Sequence, residues 1–185
     1  MPFTFRKLDI PDVIAIEPKK FEDERGFFSE LFHELSFKEG GIDRQIKQIN
    51  ISKSSKGVLR GLHYQLHPHA QGKIIRVISG KIFDVSVDIR KNSPYFGKWA
   101  GIELDSKNLN MVFIPEGFAH GFEVLSETAE FEYFCTSFYN QKYERGILYS
   151  DPVLNIKWNT KNPIVSEKDA SFPLLEKAEY NFYDN

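Results

Sequence analysis

Between residues 58 and 139 the sequence is a series of short apolar or alternating runs, each cut off by Gly, Asn, Asp or Pro. The runs cover 58–65, 73–79, 82–89, 99–104, 109–115, 121–125 and 129–139, and no stretch before residue 140 sustains a helical period. Short strands separated by turn residues must bury their apolar faces against one another. The predicted class is therefore all-β, a sandwich or barrel. The front part reads as one or two strands within 3–17 turning at Pro11, an acidic glycine-closed turn over 21–26 and a strand over 27–32. A short helix over 33–40, halted by Gly40 and Gly41, precedes a half-buried strand over 45–52 and a loop over 52–57. Behind residue 139, Pro152, Pro163 and Pro173 predict loops, short helical turns and a closing strand. No repeat or linker divides the chain, so residues 1–185 read as one domain.

Bulk properties remove several function classes. A formal net charge of −2 lacks the basic excess of a nucleic-acid protein. No apolar run approaches the roughly 18 residues of a membrane helix. The opening MPFTFRKLDIPDV has no secretory pattern, so a cytoplasmic protein is expected. Cys135 is the only cysteine, which excludes an intrachain disulfide. Set among Phe and Tyr, it reads as a buried, inert thiol.

Polar chemistry concentrates in two places. GVLRGLHYQLHPHAQGK at 57–73 packs an Arg, three His, two Gln and a Lys between apolar runs, and IPEGFAH at 114–120 ends on a fourth His. Alternate residues of a strand share a face. His63 and Gln65 therefore point together, and Arg60 points away unless Gly61 admits a bulge. In 82–89 the odd positions are apolar and the even ones include Asp84, Ser86 and Asp88. Polar strand faces usually look outward, so solvent is the first expectation for that face and a lined cavity the second. Tyr133 and Tyr139 share a face if no bulge intervenes, about 20 Å apart at ~3.3 Å per residue.

Three chemistries fit these residues. His63, His67, His69 and His120 supply enough imidazoles for a metal. A metal-free alternative uses a His as base, a Lys as anchor for a carbonyl oxygen gaining charge, and a Tyr as proton donor. His63, Lys73 and Tyr133 fill those roles, with Asp84 or Asp169 to orient the imidazole. Arg25, Arg60, Lys73, Arg76 and Lys168 are candidates for phosphate binding, weighed against solvated surface cations.

PEGFAH resembles the second motif of cupin barrels, Pro-x-Gly-x-x-His. The first cupin motif, His-x-His followed by Glu, is not matched. Gln65 stands at its second His and Lys73 about where its Glu belongs, and an ammonium repels a metal ion. The expectation is accordingly no metal. More specific are RGFFSELF at 25–32, QIN at 48–50, KGVLRGLHYQ at 56–65, QGKIIRVISGKIFDVSVDIRKNSPYFGKW at 71–99, FIPEGFAHGFEVLS at 113–126, YERGILYSDP at 143–152 and VSEKD at 165–169. Together, in order and over nearly the whole chain, they resemble the dTDP-4-dehydrorhamnose 3,5-epimerase family.

The resemblance implies a cupin-like jelly roll, a homodimer, no cofactor and a dTDP-linked 4-keto-6-deoxy sugar substrate. Both epimerised carbons would flank the C4 ketone, so each carbanion delocalises into an enolate. Carried over by position, His63 matches the base, Tyr133 the proton donor on the opposite face, Lys73 the residue at the C4 oxygen and Asp169 the partner of the base. Arg60 and His120 match pocket residues near sugar and phosphate. Arg25, Glu30, Gln48, Asn50, Glu144 and Lys168 match nucleotide or sugar contacts, and Tyr139 an aromatic near the mouth. Two departures stand out. Ile49 replaces an Asp, on the opposite parity from its neighbours, and the spacer QLHPHAQGK differs, which makes His67 and His69 loop residues. Four alternatives stay open: a mono-epimerase, a ketoisomerase on a related dTDP-sugar, a binding or structural module without catalysis, and a metal-dependent cupin oxygenase or isomerase.

Overall fold

The computed structural model describes residues 2–184. The front of the chain forms β1 (Phe3–Lys7), β2 (Ile14–Pro18), a small hairpin of β3 (Phe21–Asp23) and β4 (Gly26–Phe28), and helix α1 (Glu34–Glu39). There follow β5 (Gln48–Ser55), β6 (Leu59–Gln65), β7 (Lys73–Ser79), β8 (Lys81–Asp88) and β9 (Trp99–Asp105). Then come β10 (Met111–Ile114), β11 (Phe118–Val124), β12 (Thr128–Cys135), β13 (Glu144–Gly146) and the short helix α2 (Glu167–Ala170). Two antiparallel sheets result, ordered β1-β2-β10-β7-β12-β5 and β13-β6-β11-β8-β9. Strands adjacent in space are mostly not adjacent in sequence, as in a jelly roll.

Strand alternation sorts the apolar residues into three layers. Ile75, Val77 and Phe131 from the six-stranded sheet meet Ile82, Phe122 and Val124 from the five-stranded one between the sheets. Val85, Val87 and Ala119 point the other way and are covered by Ile147, Leu154, Leu175 and Phe182 of the C-terminal segment. Outside the six-stranded sheet, Ile14, Ile16, Ile74 and Met111 pack beneath Phe37 of α1. The His33 ring accepts the Ser36 N–H at 3.3 Å and so caps that helix.

The architecture is the all-β one expected, with four local corrections. β4 ends at Phe28 and the expected acidic turn is half strand, because Phe21–Asp23 pairs with Gly26–Phe28. β5 runs through Ser55, since β12 pairs with it up to Thr128 and captures the polar SKSS stretch as an edge. β12 stops at Cys135, so Tyr139 belongs to a loop. Finally, Asp84, Ser86 and Asp88 do not face solvent. Asp84 is only 1% exposed, because the C-terminal segment covers the other face of β8 and turns this one into the space between the sheets. Among the described residues no helix is long and apolar enough to cross a membrane.

Candidate active site

The site begins with an irregularity in β6. His63 pairs with His120 and Arg60 with Phe122, so three steps along β6 match two along β11. The extra residue is absorbed at Gly61, whose φ of +134° suits glycine. A Cβ there would lie 2.5 Å from the Gly121 Cα, which closes the position to any other residue. The bulge brings Arg60 and His63, of opposite parity, into one cavity.

That cavity has two lobes between the sheets, of about 260 and 250 Å³, which share His63, Lys73, Tyr133 and Glu144. Arg60 and His120 line the inner lobe, and Gln48, Asn50 and Tyr139 line the outer. His63 stands on the five-stranded sheet, and Lys73 and Tyr133 stand on the six-stranded one.

The choice between Asp84 and Asp169 is resolved by two separate pairs. Asp169, on α2, accepts from His63 Nε2 at 2.9 Å and from the Gly61 N–H at 3.0 Å. Burial opposes its charged form, yet the His63 hydrogen bond and charge, with the N–H of Gly61, hold the carboxyl below the usual carboxylate range. An ionised Asp169 fixes hydrogen on Nε2 and leaves Nδ1 as the basic atom of His63. Asp84 instead meets His120 Nε2 at 2.8 Å. Burial lowers the His120 pKa against the pull of Asp84, keeping the imidazole uncharged at neutral pH.

Burial also lowers the pKa of Lys73, opposed by the charges of Asp84 and Glu144. Its amine has no ion-pair partner among the described residues and faces both lobes. Burial raises the Tyr133 pKa, so the phenol stays protonated at neutral pH. At the mouth, Glu144 Oε2 accepts from the Tyr139 hydroxyl at 2.8 Å and pairs with Lys168 Nζ at 2.7 Å. Arg60 is steadied by Ser54 Oγ, 3.3 Å from Nε and 3.2 Å from Nη2.

Other candidates lie elsewhere. Arg25 binds Asp23 on the β3–β4 hairpin, with its side chain 83% exposed, and neither it nor Glu30 lines the two lobes. Arg76 points to the outer face of its sheet and pairs with Glu132. His67 and His69 sit in the loop before β7, against Phe182 and Tyr143. Ile49 faces away from the cavity, so the departure at that position falls outside it. Cys135 is buried, as expected. Gln71 also lines the outer lobe, a role that its place in the polar stretch of the sequence did not single out.

The sequence profile of dTDP-4-dehydrorhamnose 3,5-epimerase matches residues 7–177. The chain belongs to that family. A relative so named from Shigella flexneri is 54% identical over 176 residues, 94% of this chain and 97% of its own. The crystal structure of the Legionella pneumophila epimerase in complex with dTDP-4-keto-L-rhamnose superposes with a TM-score of 0.90 at 46% identity, covering 95% of this chain and 94% of that one. ChmJ, a 3'-monoepimerase from Streptomyces bikiniensis seen with dTDP-quinovose, gives 0.86 at 32% identity, covering 92% and 87%. Membership also accounts for the jelly roll.

Proposed function

We propose that the chain inverts C3 and C5 of dTDP-4-dehydro-6-deoxy-D-glucose to give dTDP-4-dehydro-L-rhamnose. His63 Nδ1 removes the proton from a carbon beside the C4 ketone, and the electron pair moves into an enolate. The Lys73 ammonium holds the enolate oxygen as it gains charge. The Tyr133 hydroxyl delivers a proton to the opposite face of the carbon, and the ketone re-forms. The observation that carries this is the arrangement of the cavity: a base backed by an ionised Asp169 on one sheet, a protonated phenol on the other, and the amine of Lys73 beside both.

Proton NMR of the keto-sugar nucleotide with the protein in deuterated water tests the proposal. Deuterium should enter at C3 and C5, and His63→Ala should abolish it. Absence of label at both carbons from the wild-type protein refutes the reading. A second reading, epimerisation at one carbon, is favoured by the kinship to a 3'-monoepimerase, and label at a single carbon would establish it.

A homodimer belongs to the same proposal. The outer face of the six-stranded sheet exposes Ile49 (58%) and Ile51 (60%) beside an apolar groove of about 600 Å³ that includes Phe32, Phe134 and Met111. An apolar groove flanked by exposed isoleucines on a folded surface suits a partner. The free-standing β3–β4 hairpin, with Phe21, Phe27 and Phe28 exposed, would then carry Arg25 and Glu30 toward the second copy. Sedimentation as a monomer at micromolar concentration would remove this part. A cytoplasmic location, with dTDP-sugar as the sole partner besides a second copy, completes the reading.

A further inference from the structure

The segment after β12 is gripped by glutamines. Gln71 Nε2 donates to the Ser137 carbonyl at 2.7 Å. Gln65 Nε2 donates to the Phe138 carbonyl at 3.2 Å, and its Oε1 accepts the Asn140 N–H at 2.6 Å. Gln48 Oε1 accepts the Tyr139 N–H at 2.8 Å. Four consecutive residues thus each give a backbone group to a side-chain amide. The three amides come from β5, β6 and the turn before β7, three separate parts of the cavity wall.

Gln65 has little capacity left for a ligand. Gln65 is buried, and its Nε2 also donates to the His69 carbonyl at 2.7 Å. Gln48 Nε2 donates to Asn50 Oδ1 at 2.9 Å. A glutamine amide has two donors and one acceptor oxygen, so Gln65 has spent its donors inside the protein. At the position where the cupin pattern has a histidine, this chain has a clamp on a loop.

What the clamp presents is the ring of Tyr139. Its backbone is held by Gln48 and its hydroxyl by Glu144, itself paired with Lys168. Tyr139 is 53% exposed and lines the outer lobe. An aromatic face fixed at both ends suits a planar base, because stacking needs area and parallel placement. A loose loop would have to be ordered on binding, at a cost in affinity that the clamp removes in advance.

We infer that Gln65 and Gln71, to which the family resemblance assigned no role, are positioning residues for nucleotide binding, acting through the Ser137–Asn140 backbone to hold Tyr139, the aromatic near the mouth, as a rigid platform for the base. The inference rests on a nucleotide-linked substrate, as proposed above. It is tested with Gln65→Glu, which replaces two donors by carboxylate oxygen facing carbonyls, and with Gln71→Ala, which removes only the Ser137 anchor. Amide hydrogen exchange, dTDP titration calorimetry and steady-state kinetics are run on the full chain.

In Gln65→Glu, exchange across 137–140 should quicken. Kd for dTDP and KM for the keto-sugar nucleotide should rise together by about tenfold, while kcat falls less than threefold; Gln71→Ala should show about a threefold rise. A loosened segment with dTDP affinity within twofold of wild type overturns the inference, as does weakened binding with unchanged exchange. If Gln65→Glu does not fold, Gln71→Ala decides by the same criteria. A wild-type protein that binds dTDP but labels neither C3 nor C5 refutes the epimerase and leaves the platform standing.

Discussion

Replacing Tyr133 by Phe separates the two halves of the proposed reaction. The side chain projects from β12 into both lobes, and its ring lies 6.2 Å from that of Phe131. Its hydroxyl is not held by another side chain among the described residues, so removing it orphans no buried partner. Thermal stability should therefore change by less than about 1 kcal/mol. Chemistry should change far more. A positioned general acid contributes about 10²–10⁴-fold, equivalent to about 2.7–5.4 kcal/mol of barrier. That loss should fall on inversion and not on proton removal, because His63, Asp169 and Lys73 are untouched. The enolate would still form and be reprotonated by the base from the face it attacked.

NMR in deuterated water follows both events at once. Label entering with retained configuration reports abstraction, and the inverted product reports delivery from the far side. Tyr133→Phe should slow inversion by about 10²–10⁴-fold, with exchange falling by a much smaller factor. Wild-type inversion in the variant would show that the proton arrives by another route. Equal collapse of exchange and inversion would place Tyr133 in abstraction. Either result refutes the division of labour between the two sheets.

Asp169→Asn should lower kcat/KM by about 10²–10⁴-fold, because an amide no longer selects the Nε2–H tautomer of His63 or supports its charge. Since folding depresses the Asp169 pKa below its ordinary 3.8, its stabilising contribution is complete above that value and disappears as pH falls through the folded pKa. The gap in melting temperature between wild type and variant should accordingly hold from neutral pH down to 3.8 and narrow below it, and a gap that stays constant through that acid range would exclude this linkage. Gly61→Ala meets a φ of +134° and a contact of 2.5 Å with the Gly121 Cα. The backbone alone should cost about 1–3 kcal/mol, lowering the melting temperature by several degrees, and an unchanged melting curve would mean that the bulge does not require glycine.

How much of this was legible in the chain differs residue by residue. The family resemblance, added to residue type, set His63, Lys73, Tyr133 and Asp169 in one site, and strand parity put Ile49 outside it. Parity could not bring Arg60 to His63, because only a slipped register against β11 does so. Nor could it tell Asp84 from Asp169 as partner of the base, since the contact joins β6 to a helix 106 residues away. The glutamine clamp was invisible for a related reason: each amide looks like an ordinary polar residue until the path of the 137–140 loop is known.

β8 shows the limit most plainly. A period of two says which residues share a face and leaves open which face is covered. Here the C-terminal segment covers the apolar face, so the polar one turns inward. Burying carboxylates is costly unless partners meet them. Arg90 and Ser93 meet Asp88, and His120 meets Asp84. An alternating strand can thus be buried on both sides when its polar half is built into a site, and the remaining capacity of such a wall is what a polar substrate meets. One oxygen of Asp84, Oδ1, is buried without a hydrogen-bond partner among the described residues, behind the His120 that lines the inner lobe. The charge of Asp84 works against the lowering of the Lys73 pKa by burial, and so toward the protonated amine that the proposed reaction requires.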